Sequence, residues 1–194
     1  MKKLLLISMS ALVLTTSCKK DDDPIPAPKP VETAPVNKTF FLNLPVSITA
    51  TGSGGYEYGM KFGVSQNGKV TKLISRMPTA GTYRITLWDA SVTPQTALAT
   101  ANVTQAAGAL TAQAITPTQL TTGKDYFISI WSNTNWYYIV PATGGNFTYP
   151  ITIGSVVLKG YQWISSATAT PQKFPTNVDN SYVAGLSDFE FQPD

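Results

Sequence analysis

Any chemistry in this chain has to be done without histidine, because the sequence contains none. That removes the commonest general base, the commonest metal ligand and the usual activator of a serine or cysteine nucleophile. A single cysteine, Cys18, permits no internal disulfide. Aromatic rings, amides and a few carboxylates remain. The densest aromatic stretch is "WSNTNWYYIVP", residues 131–141. Here Trp131, Asn133, Asn135, Trp136 and Tyr138 surround a loop between two apolar runs. Sugar rings stack on aromatic faces, and neighbouring amides orient their hydroxyls. Trp88, set opposite Tyr83 and Leu87 in an alternating run, is a second candidate. The plainer alternative is that these rings fill the core or lie beneath a covering loop. Alternation in a strand lets at most half of Trp136, Tyr137 and Tyr138 face outward together.

Two carboxylates at the right separation would suffice for a glycosidase. Asp188 and Glu190, two apart in an expected strand, share a face, but that spacing is common by chance. "NVDNS" (177–181) offers oxygen ligands without the dense acidic loop of a calcium site. The expectation is therefore a non-catalytic chain with no metal and no cofactor.

The elements that must position these residues follow from composition and pattern. The chain has 194 residues, 43% hydrophobic and 13% charged, with 14 Gly and 14 Pro. Low charge with many Thr, Gly and Pro favours strands and turns. Setting aside Lys2 and Lys3, Lys+Arg and Asp+Glu nearly balance at twelve against eleven. No basic stripe exists, which argues against a nucleic-acid partner.

The first 18 residues, "MKKLLLISMSALVLTTSC", place two lysines before an apolar run (Leu4–Leu14) and small residues before Cys18. This is the layout of a secretory signal peptide. As a helix the run would reach about 16 Å, too short for a bilayer core of about 30 Å. The small residues ending at Cys18 resemble the bacterial lipoprotein lipobox. The resemblance implies cleavage before Cys18 and its lipidation, hence a membrane partner through the lipid anchor. The following "KKDDD" looks like acidic export signals of Bacteroidetes surface lipoproteins, so the outer membrane or cell surface is the expected location. "DPIPAPKPVETAPVNK" (23–38) reads as an extended proline spacer. The expected division is a signal peptide (1–17), a lipid-anchored, disordered linker (18–39) and a folded domain (40–194).

From Phe40 onward, short period-two runs alternate with turn residues. "YGMKFGV" (58–64) sets Tyr58, Met60, Phe62 and Val64 on one face. "QNGK" (66–69) signals a type I′ hairpin, with "GKVTKLIS" (68–75) pairing back. Further strands are expected at 81–89, 96–103 and 124–132, and also at 46–51, 136–140, 155–163 and 187–191. About nine or ten strands without a helical period predict an all-β fold, a jelly-roll-like antiparallel β-sandwich.

The succession "GKVTKLIS", "GTYRITLWDAS", "ALATANV" and "LTTGKDYFISIWS" resembles domain-of-unknown-function family 4082. Leu87, Trp88, Asp89, Leu98, Ala99, Gly123 and Tyr126 carry the likeness. It implies a carbohydrate-module-like sandwich in exported bacterial proteins and no established activity. The expected function is a surface-anchored binding module, with a glycan ligand. The alternative is a structural or adhesive lipoprotein that docks a surface protein.

Overall fold

A computed structural model describes residues 30–50, 54–133, 136–168 and 170–194. Cys18, the leader and most of the expected linker lie outside them, as does Asn135. Among the described residues fourteen strands form: β1 (Glu32–Thr33), β2 (Ser47–Ala50), β3 (Tyr56–Val64), β4 (Gly68–Ser75), β5 (Gly81–Asp89), β6 (Thr96–Gln105) and β7 (Thr111–Leu120) in the first half. The second half adds β8 (Tyr126–Ser132), β9 (Trp136–Pro141), β10 (Ile151–Ile153), β11 (Val156–Ser165), β12 (Asn177–Asp179), β13 (Tyr182–Ala184) and β14 (Ser187–Pro193).

All ladders are antiparallel. One sheet runs β1-β14-β4-β7, and a larger one β10-β11-β3-β8-β5-β6 with β12 beside β11. A third, β13-β9-β2, is small. The two main sheets face each other across the apolar residues that alternation predicts. Met60 and Phe62 of β3, Ile85 and Leu87 of β5, and Ile128 and Ile130 of β8 are all buried. Leu73 of β4 and Phe189 and Phe191 of β14 meet them from the other sheet. Phe62 stacks on Phe189 with ring centroids 4.4 Å apart. Full burial of such side chains stabilises by about 1.5–3 kcal/mol each.

Two expectations about pairing need correction. The Asn-Gly corner does not make a hairpin. β3 pairs with β11 and β8, whereas β4 pairs with β14 and β7. Neither Asn67 nor Gly68 has the positive φ that a type I′ turn needs. Non-local bonds hold the corner instead: Thr122 N donates to Asn67 Oδ1, and Asp194 N to Asn67 O, both at 2.9 Å. The corner thus carries the chain from one sheet to the other. β7 was not expected, because Pro117 interrupts its apolar pattern. It is an edge strand whose ladder with β4 shifts register between Val70 and Lys72, which are the settings that tolerate proline.

The folded domain also begins earlier than residue 40. β1 pairs with β14, and a five-residue π-helical turn, Asn37–Phe41, follows. One buried carboxylate holds this entry. Asp188 accepts from Val36 N at 3.2 Å, Asn37 N at 2.6 Å, Asn37 Nδ2 at 3.0 Å and Phe189 N at 3.0 Å. Burial outweighs these donors and pushes its carboxyl up to about 6.

Removing that acceptor strands several buried donors, so Asp188→Ala is expected to lose about 1–3 kcal/mol of unfolding free energy in urea. A raised acid pKa contributes stability below the unfolded-state value and loses it as pH rises through about 6. The stability gap between the parent chain and Asp188→Asn should therefore narrow between pH 4 and pH 7. A gap constant across that range would refute the assignment.

Candidate functional site

The inward face of β3 changes character along its length. Phe62, Met60 and Tyr58 belong to the core, while Tyr56 is partly buried and packs against it. Strand registers decide what surrounds them. Tyr58 lies opposite Trp163 of β11, and Met60 opposite Tyr161. Directly opposed residues share a face, so Tyr56, Tyr58, Tyr161 and Trp163 form one aromatic floor. The small sheet closes over it, bringing Tyr137 from β9 and Tyr182 from β13.

The result is a cavity of about 170 Å³ walled by Tyr56, Tyr58, Tyr137, Tyr161, Trp163 and Tyr182, with Ala184 completing it. Ring centroids are 5.9 Å apart for Tyr58–Tyr137, 5.4 Å for Tyr161–Tyr182 and 6.1 Å for Tyr56–Trp163. All three pairs are tilted and fall within the favourable range for aromatic contacts. Burial raises the hydroxyl pKa of Tyr58, Tyr137, Tyr161 and Tyr182. The pocket therefore presents neutral phenols at physiological pH.

Gly185 makes this geometry possible. It sits at φ +69°, and a Cβ there would lie 1.8 Å from the Tyr58 ring. Only glycine allows β13 to leave the pocket while Tyr58 stays in place.

The residues expected from sequence to bind a ligand are scattered. Trp88 takes the buried alternative. It is 4% exposed and donates from Nε1 to Ser129 Oγ at 2.8 Å. Phe174 packs on Trp88 and Phe127, and Gln172 reaches Thr86 and Thr100. The chain after β11 thus roofs the outer face of the large sheet. Trp131 lies half-buried at the edge of that roof, and its Nε1 donates to Ser166 O at 3.0 Å. Asn133 is exposed next to residues outside the description. Trp136 is 48% exposed, and Tyr138, half-buried, packs edge-on against Phe41. Tyr137 alone from this stretch points into the pocket, because alternation turns it away from its two neighbours.

Beneath the roof a polar chain runs from Trp88 through Ser129 to Glu57, whose other oxygen pairs with Arg84. Burial pushes Glu57 up to about 7, against the hydrogen bond from Ser129 and the charge of Arg84. This cluster holds three strands together on their second face. Neither Asp188 nor Glu190 joins it. Asp188 is enclosed, and Glu190 bonds to Thr71 and Lys72 at 2.8 and 3.0 Å. Burial raises the Glu190 pKa, but these partners outweigh it and hold the carboxyl below its ordinary range. Neither lines the tyrosine pocket. Among the described residues, no group of three or more His, Cys, Asp or Glu side chains is arranged to hold a metal ion.

A family model described as a domain of unknown function, DUF4082, matches residues 42–184. The chain belongs to that family. No curated protein matches it significantly. The DUF4082 match spans every wall of the pocket, while β1 and β14 lie outside it. The fold of this DUF4082 chain thus extends beyond the matched span on both sides, since β14 is an inner strand of the four-stranded sheet.

Sequence reasoning missed Tyr56, Tyr161, Trp163 and Tyr182 as pocket walls. A signal existed in "YEY", "YQW" and "SYV", three aromatic-bearing stretches each expected or able to be a strand. Nothing local shows that they converge.

Trp88→Ala should cost about 3–5 kcal/mol of stability, whereas Val178→Ala, at an exposed position of β12, should stay within about 0.5 kcal/mol. Urea denaturation distinguishes them. Equal losses would show the roof to be absent. Gly185→Ala is expected to displace Tyr58, broadening its ring signals in NMR spectra, and unchanged ring shifts would contradict the contact.

Proposed function

We propose that this chain is a non-catalytic binding module held outside the cell by a lipid on Cys18, and that it seats one sugar ring in the tyrosine pocket. The observation that carries the ligand class is the wall of six aromatic side chains. Flat apolar faces match the C–H faces of a pyranose, and the phenol hydroxyls supply polar contacts at the edges. The cavity is smaller than the roughly 300–1,000 Å³ of drug-sized sites, which suits a single ring or the end of a chain. On this reading the sugar contacts are Tyr56, Tyr137, Trp163 and Tyr182, and not Trp88 and Trp131.

The lipid anchor is supported by the leader, by the small residues before Cys18 and by the proline-rich stretch that separates Cys18 from the first strand. Two or more acyl chains give stable membrane attachment where one does not. An adhesive role, with the domain docking another surface protein, is the second reading. It is favoured by the exposed Trp136 and Ile48 on the small sheet.

Glycan-array binding of the full chain tests the first reading. Tyr137→Ala and Trp163→Ala are expected to weaken the sugar signal at least tenfold, while Trp131→Ala keeps it. Binding that survives both pocket variants would exclude this site. Cys18→Ser should abolish labelling by radioactive palmitate and release the chain from the membrane fraction. Retention there without lipid would remove the anchor.

A further inference from the structure

We infer that the sugar taken by the tyrosine pocket carries a protonated amine, seated on the aromatic faces with its charge toward Asp179. The inference rests on the sugar reading above and names the chemical class. Every wall of the pocket except Ala184 is an aromatic ring, and ring faces attract cations through their quadrupole. A neutral sugar gains stacking from such walls, whereas a cation gains stacking and electrostatic attraction together.

Asp179 supplies the second observation. Its register partner on β11 is Tyr161, so its carboxylate lies on the face that forms the pocket floor. Its charge acts on the hydroxyls of both Tyr161 and Tyr182, two walls of the cavity. Oδ1 accepts the bonds from Ser181 N at 2.8 Å and Ser181 Oγ at 2.6 Å. Oδ2 accepts none among the described residues.

Among the described carboxylates, Glu32, Asp179, Asp188 and Asp194 enter no ion pair, and of these Asp179 is the one whose register partner, Tyr161, walls the pocket. Glu57, Asp89, Asp125 and Glu190 are each paired with a lysine or arginine. Asp179 enters no ion pair among the described residues, and no cationic side chain lines the pocket. Asp179 does not itself line the cavity but sits next to its Tyr161 wall, and an electron-rich cage with an unpaired carboxylate at its margin is an arrangement that favours an ammonium group. It rejects an anionic sugar for the same reason.

The test is calorimetric titration of the full chain with three β-1,4-linked trimers, of glucosamine, N-acetylglucosamine and glucose, at pH 6 and low salt. The expected result is at least tenfold tighter binding of the glucosamine trimer. That preference should shrink as salt is raised, and Asp179→Asn should reduce it to threefold or less. Asparagine keeps an acceptor for Ser181, and a circular-dichroism melt of the variant checks that it folds. Equal affinity for all three trimers overturns the amine assignment and leaves the sugar reading intact. A preference that persists in Asp179→Asn overturns the role of that carboxylate. Failure of all three trimers to bind, with tetramethylammonium either bound or not, overturns the sugar reading and this inference with it.

Discussion

The inward face of β3 has to be covered along its whole length, and the two sheets that cover it are different. Five alternate residues, Tyr56 to Val64, point the same way. Around Phe62 the opposing surface is β14, whose Phe189 stacks directly on it. Around Tyr58 the four-stranded sheet has ended, and the small sheet of β13, β9 and β2 takes over. Close packing holds at the first place and relaxes at the second. The pocket is what remains where one cover stops and the other starts. Its position follows from the lengths of strands, and Gly185 leaves the room that Tyr58 needs there.

The same strand explains why so few polar groups are left to chance. The second face of β3, β8 and β5 is also buried, and it carries Glu57, Ser129 and Arg84. Charges in such a place are costly unless they are matched. Here Glu57 pairs with Arg84 and accepts from Ser129, with Trp88 donating into the chain, while Nε and Nη1 of Arg84 have no hydrogen-bond partner among the described residues. That arrangement fixes the registers of the strands whose opposite faces build the core and the pocket.

Much of this architecture was legible in the sequence, because alternation in runs such as "GTYRITLWD" and "KDYFISIWS" reports which side chains share a face. Strand ranges at 68–75 and 81–89 coincide with those observed. What alternation cannot report is which sheet a strand joins. The Asn-Gly corner therefore suggested a hairpin where the chain instead changes layers. Period two also treats the second face of a strand as solvated unless something covers it. Trp88 accordingly stood as a candidate contact with burial beneath a covering loop as its alternative, and Phe174, nearly ninety positions away, is that cover. The pocket was invisible for the same reason. Its walls come from β3, β9, β11 and β13, and each stretch alone looks like ordinary core. Asp188 was visible as a carboxylate but not as a clasp, since its partners Val36 and Asn37 fall in a stretch that composition assigns to a spacer.

That clasp has a mechanical consequence. A pull arriving along the chain from residue 30 loads β1 first, and β1 meets β14 over only two residues. The next bonds in line are those that Asp188 accepts from Val36 and Asn37. They connect the leading end of the domain to a strand held between β1 and β4. Tension is thereby diverted into the strand nearest the C-terminus and spread along a seven-residue ladder. Glu32 of β1 also accepts from Ser155 N at 2.6 Å, so the rest of the load enters the large sheet at the turn between β10 and β11, at the opposite end of β11 from Trp163 of the pocket.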